Sequence, residues 1–105
     1  MEKALPFFEH LEQTARRQDS LLCVGLDPRP ERFPPEVQAD PDPIFVYNRR
    51  IVDATRDLVC AYKPNYAFYE AHGLPGLRAL QATIEYIGDQ TPVILDAKRG
   101  DIGTT

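Results

Sequence analysis

Three short apolar runs punctuate the chain: Leu21–Leu26 (LLCVGL), Leu58–Tyr62 (LVCAY) and Pro92–Leu95 (PVIL). None alternates polar with apolar. Short continuous apolar runs of this kind fit strands buried on both faces, as in a parallel sheet. Helical patterns lie between them. Asp42–Pro43 offers an N-cap and a proline at the first helical position, and Ile44, Tyr47, Ile51, Val52 and Thr55 then share one face. Pro75–Gly76 opens a second stretch, with Leu77, Leu80, Ile84 and Ile87 as its stripe and Gly88 as the residue past its end. A short turn is expected over residues 66–71. The N-terminal MEKALPFFEHLEQTARR reads as an amphipathic helix.

The order helix, strand, helix, strand, helix, strand predicts βαβ crossovers and a parallel α/β sheet within one domain. The connection from Asp27 to Asp42, DPRPERFPPEVQADPD, is too rich in proline for a regular helix. Two accounts fit so long a loop: a functional or mobile segment, or a connection stiffened by its prolines.

Composition narrows the function classes. The chain has 105 residues, 43% apolar and 27% charged, with a net charge of −4. These values are those of a folded domain with a modest core. The negative charge argues against nucleic acid or an anionic membrane as partner. No apolar run approaches the ~20 residues that span a bilayer, and the N-terminal segment lacks the apolar centre of a signal peptide. A cytoplasmic location is therefore expected. Cys23 and Cys60 each lie in an apolar run, outside any CxxC pair, and are expected to be buried free thiols. His10 and His72 have no neighbours at metal-ligand spacing and are expected to be solvated.

The charges that close each apolar run carry the chemistry. The first run ends at Asp27, the second at Lys63, the third at Asp96 and Lys98. Lys63 follows Asp27 by 36 residues and Asp96 follows Lys63 by 33, one strand-helix unit each. All four therefore fall at the C-terminal edge of one parallel sheet, where ligand sites of such sheets lie. Alternation along a strand puts Asp96 and Lys98 on the same side, about 6–7 Å apart. Arg99 points the other way unless the strand has ended, Gly100 permits a turn, and Asp101 begins the next segment. A lysine between two carboxylates is held charged and oriented, as a proton donor facing a carbanion must be. Each residue also has a plain reading: Asp101 as a helix cap, Asp96–Lys98 as an ion pair, Asp27 as a turn residue before proline, Lys63 as a solvated strand end.

The end of the chain, DAKRGDIGTT, resembles the D-x-K-x-x-D-I-x-x-T signature of the orotidine 5′-phosphate decarboxylase family at every fixed position: Asp96, Lys98, Asp101, Ile102 and Thr105. VGLDPR around Asp27 and YKPNYAFYE around Lys63 resemble the first two strand ends of the family's longer bacterial form. The resemblance implies a (β/α)₈ barrel with its active site at the C-terminal mouth. It implies loss of CO₂ from orotidine 5′-monophosphate to give UMP, the last step of de novo pyrimidine synthesis, with no metal and no organic cofactor. Carried over position by position, Lys98 protonates C6 of the pyrimidine and Asp96 lies beside the departing carboxylate. Asp27 and Lys63 bind the ribose, and Ile102 also belongs to the substrate site. Asp101 and Thr105 reach the active site of a partner subunit in a homodimer.

A whole barrel takes about 250 residues, and three strands of eight are legible here. The chain is thus expected to be the N-terminal portion, residues 1–105, of a single barrel domain, inactive alone and lacking the phosphate-binding loops of the later strands. Two other readings compete. Related barrel enzymes acting on sugar phosphates, such as the 3-keto-L-gulonate 6-phosphate decarboxylases, share D-x-K-x-x-D but hold a metal-binding glutamate where this chain has Lys63. A non-catalytic part-barrel that pairs with another chain is the third.

Overall fold

The computed structural model describes residues 6–97. Helix α1 (Phe7–Gln18) leads into strand β1 (Cys23–Leu26). A 3₁₀ turn (Pro30–Arg32) and the single-turn α2 (Pro35–Gln38) follow, then α3 (Pro43–Thr55), β2 (Ala61–Pro64), α4 (Tyr66–Glu70) and α5 (Gly73–Ile87). β1 and β2 pair in parallel, with Cys23 opposite Ala61 and Leu26 opposite Pro64. The third apolar run lies on the other side of β2, also parallel. It forms two isolated bridges, Tyr62 with Val93 and Asn65 with Asp96, in place of the continuous strand expected. Ile94 N–H donates to Tyr62 O at 2.8 Å, and Asp96 N–H donates to Pro64 O at 2.9 Å. Pro92, within the run, has no N–H for a ladder.

The helices cover one face of this sheet. Leu26, Val52, Val59, Tyr62 and Ile87 form a buried cluster, with Val24, Ile51 and Val93 packed against it. Cys23, Gly25 and Lys63, of the opposite parity in β1 and β2, are exposed. The expectation of strands buried on both faces is therefore corrected for β1, whereas in β2 Ala61 and Tyr62, of opposite parity, are both buried. The same one-sided cover of β1 corrects Cys23, which is exposed, whereas Cys60 is buried as expected. Leu21 and Leu58 are exposed for a simpler reason: each precedes its strand. Truncating Ile87, 1% exposed at the end of α5, is expected to cost about 2–5 kcal/mol as Ile87→Ala. Thermal unfolding of the protein that carries this chain would read that loss.

α3 follows its expected span, but its inner line is Ile44, Asn48 and Val52, with a polar residue in the middle. Proline takes the first helical position, and Asp42 stands at the N-cap without a side-chain bond to the helix. The carboxylate that acts here is Asp40, which accepts from Asp42 N–H at 2.9 Å. α5 begins at Gly73, earlier than expected, and buries Gly76, Ala79 and Thr83 alongside Leu80 and Ile87. Gly88 ends it at φ 81°, in the region glycine tolerates. His10 stands partly exposed on α1, and His72 is exposed as expected.

The proline-rich connection is neither a floppy loop nor helix-free. Pro35 starts α2, where its missing N–H costs nothing. Phe33 and Val37 are buried in a second cluster with Ile44, Tyr69, Ala79 and Leu80. The Phe33 ring stacks on Tyr47 at 4.3 Å between centroids. Two apolar anchors thus pin the segment to α3, which favours the stiffened account. Among the described residues, no helix is long and apolar enough to cross a membrane.

Candidate active site

The strand register brings three of the expected residues to one edge and one face. Gly25 pairs with Lys63 and Leu26 with Pro64. One further step along β1 sets Asp27 beside Asn65, and Asn65 is bridged to Asp96. Asp27, Asn65 and Asp96 thus form a row across the three chain segments. At the usual strand spacing the two aspartates flank Asn65 and lie about 10 Å apart. Lys63 is two residues before Asn65, on the same face and about 6–7 Å lower along the strand.

Local sequence explains why each residue stands where it does. Asp27 stands just past the end of β1, in front of Pro28, which stops the strand from continuing. Its carboxylate lies back over Gly25, where a Cβ would sit 3.6 Å from Asp27 Oδ2 and 3.9 Å from the Lys63 carbonyl. Lys63 precedes Pro64, and Asn65 turns the chain into α4 by accepting Ala67 N–H on its Oδ1 at 3.1 Å. Asp96 is held through its backbone: its N–H reaches Pro64 O, and its carbonyl accepts Tyr66 N–H at 2.8 Å. The start of α4 and the end of the third run are therefore locked together under the site.

Two side chains report the field at this edge. Partial burial pushes the Cys23 thiol above its ordinary pKa; Cys60 adds to that rise, and the Lys63 ammonium opposes it. Burial likewise pushes the Tyr69 phenol up; the Asn48 bond opposes the rise and the Asp27 carboxylate adds to it. Tyr69 therefore stays a neutral hydroxyl within electrostatic reach of Asp27. At the rim, the Arg29 guanidinium lies 5.1 Å from the Phe68 ring centre, a cation–π contact that ties the start of the proline-rich segment to α4.

Sequence reasoning missed the polar cluster behind this edge. Asn48, Tyr69 and Thr83 come from three different helices and are almost wholly buried. Asn48 donates to the Tyr69 hydroxyl and to Thr83 Oγ1, and Tyr69 donates to the carbonyl of Leu26. The sequence signal for this was slight: a polar residue in each of two apolar helical stripes. Lys98, Asp101, Ile102 and Thr105 lie outside the described residues. Among the described residues, no group of three or more His, Cys, Asp or Glu is placed to hold a metal ion.

The family model for orotidine 5′-phosphate decarboxylase / HUMPS matches residues 20–105, which include all three aligned strand ends. The chain belongs to that family. A curated orotidine 5′-phosphate decarboxylase of Thermomicrobium roseum is 55% identical over 101 residues, and one of Bacteroides fragilis is 49% identical over 100. Each match takes in more than nine-tenths of this chain and 36% of the relative. Among solved structures, a Toxoplasma gondii protein described as an orotidine-monophosphate decarboxylase superposes with a TM-score of 0.81 at 47% identity, over 92% of this chain and 32% of its own. Leishmania donovani OMP decarboxylase gives 0.73 at 41%, over 92% of this chain and 35% of its own. The helices and parallel segments are accordingly the N-terminal part of the family's barrel.

Proposed function

We propose that these residues supply the charged half of an orotidine 5′-monophosphate decarboxylase site, releasing CO₂ to give UMP in pyrimidine biosynthesis. The observation that carries this reading is the shared face and edge of Asp27, Lys63 and Asp96, in a chain whose family match runs on through the Asp96–Thr105 signature. Residues 1–105 form the N-terminal portion of one barrel domain, and the phosphate-binding loops belong to later strands. The protein acts in the cytoplasm.

Loss of CO₂ without an electron sink leaves a poorly stabilised carbanion at C6. Fixed charges stabilise such developing charge without reorganising during the reaction. Lys98 is the group that gains attraction as charge moves onto C6, and it delivers the proton there. Asp96 sits beside the departing carboxylate and orients the lysine. Its repulsion of the bound carboxylate is a secondary contribution. Asp27 and Lys63 hold the ribose hydroxyls, the carboxylate accepting and the ammonium donating. Ile102 lines the pyrimidine, and Asp101 and Thr105 complete the site of a second subunit in a homodimer. Remote binding of the phosphate helps close the site over the ring.

Lys63 separates this reading from a metal-dependent sugar-phosphate reaction, because an ammonium at the second strand end repels Mg²⁺. The intact enzyme that carries this chain is expected to convert orotidine 5′-monophosphate to UMP at an unchanged rate in excess EDTA. The 105 residues alone are expected to give no turnover. Failure of the intact enzyme to release CO₂ from this substrate, or loss of the rate on chelation, would overturn the assignment.

A further inference from the structure

The buried cluster of Asn48, Tyr69 and Thr83 has a single self-consistent direction. The Tyr69 hydroxyl has one proton, and it goes to Leu26 O at 2.7 Å. Tyr69 must therefore accept from Asn48 Nδ2, 3.0 Å away. Thr83 gives its proton to Ala79 O at 2.7 Å and so accepts the second Asn48 amide hydrogen at 3.1 Å. Both hydrogens of the amide are then used. Its Oδ1 is left buried with no hydrogen-bond partner. A buried acceptor without a partner is costly. An apolar residue of similar size in α3 would avoid that cost, so stability alone does not account for Asn48.

What the cluster secures is the last carbonyl of β1. Leu26 is the last residue of β1, in register with Pro64, and its carbonyl takes the Tyr69 proton from the helix side. The next residue is Asp27. Three helices thus converge, through one phenol, on the peptide bond that joins Leu26 to Asp27. We propose that the Tyr69 hydroxyl, held by Asn48, is a positioning group for Asp27: it fixes the Leu26–Asp27 peptide and thereby aims the Asp27 carboxylate over Gly25 into the substrate site. Tyr69 touches no substrate in this arrangement and acts only through the backbone.

The activity arm of the test rests on the decarboxylase reading; the spectroscopic arm does not. In the intact enzyme, Tyr69→Phe removes the bond to Leu26. Thr83→Val breaks the same buried network without touching Leu26, so it matches the structural damage. Both are expected to lower Tm. Only Tyr69→Phe is expected to lower kcat/KM for orotidine 5′-monophosphate, by about tenfold and mostly through KM, since Asp27 is assigned to the ribose. Thr83→Val should stay within twofold. Asn48→Ala keeps the phenol but frees it, and should fall between the two; it also decides the matter if Tyr69→Phe does not fold. Independently, the amide and carboxyl resonances of Asp27 should move in Tyr69→Phe and not in Thr83→Val. Losses of kcat/KM that simply track Tm across the three variants, or unmoved Asp27 resonances in folded Tyr69→Phe, would overturn the proposal. An inactive wild-type enzyme whose Asp27 resonances still respond to Tyr69→Phe would instead remove the decarboxylase reading and leave the positioning role standing.

Discussion

Gly76→Ala is expected to destabilise the protein by about 3 kcal/mol or more, despite replacing a poor helix former inside a helix. On propensity alone the change would gain up to about 1 kcal/mol. The packing decides otherwise. A Cβ at position 76 would sit 2.0 Å from the carbonyl oxygen of Tyr69, 3.0 Å from its carbonyl carbon and 2.9 Å from His72 Cβ. Two of these are backbone atoms, which cannot rotate away. The carbonyl is also committed, since it accepts His72 N–H at 3.1 Å where α4 passes into α5. To admit one methyl group the two helices must separate, and inserted core volume costs about 1–3 kcal/mol even where side chains can adjust. Moving α4 also displaces Tyr69 and its hold on Leu26. For an intact enzyme of barrel size this corresponds to a fall in Tm of about 6–12 °C. A Tm that stays the same or rises would mean that the helices are not in this contact.

Lys98→Ala in the intact enzyme is expected to lower kcat by at least about 10³-fold with little change in Tm. Two contributions vanish together. General acid catalysis by a positioned group is worth roughly 10²–10⁴-fold, and a fixed electrostatic stabiliser of a developing anion roughly 10²–10³-fold. They share one ammonium, so the losses do not simply multiply. KM should change much less than kcat, because the interaction grows only as charge reaches C6. Lys98→Arg is not expected to rescue the rate: a guanidinium is bulkier and does not give up its proton at neutral pH. A Lys98→Ala enzyme retaining a tenth of the wild-type kcat would show that the proton comes from elsewhere.

Much of the frame was legible in the residues themselves. Apolar runs closed by Asp27, Lys63 and Asp96 gave the parallel order and the shared edge, because one strand-helix unit separates each from the next. α3 was legible from its proline start and its three- and four-residue steps, and α5 from its stripe and Gly88. The Asp96–Thr105 signature named the family before any geometry, and the family match over residues 20–105 agrees with it. Less legible were the features that depend on which face has a neighbour. Cys23 looks like a core thiol in LLCVGL, yet it points to the side the helices do not cover. The proline-rich segment looks unanchored until Phe33 and Val37 are seen in the core.

The sequence by itself determined the element order, the strand-end charges and the family, since these follow from local periodicity, turn chemistry and a short contiguous motif. Only the tertiary structure decided that Asn48 is a buried donor, that Gly76 is a contact point between helices, and that Tyr69 reaches the carbonyl before Asp27. Each of these is a meeting of residues far apart in the chain. Hydrogen-bond direction and steric exclusion act between neighbours in space, and periodicity along one segment carries no record of what the next segment brings against it.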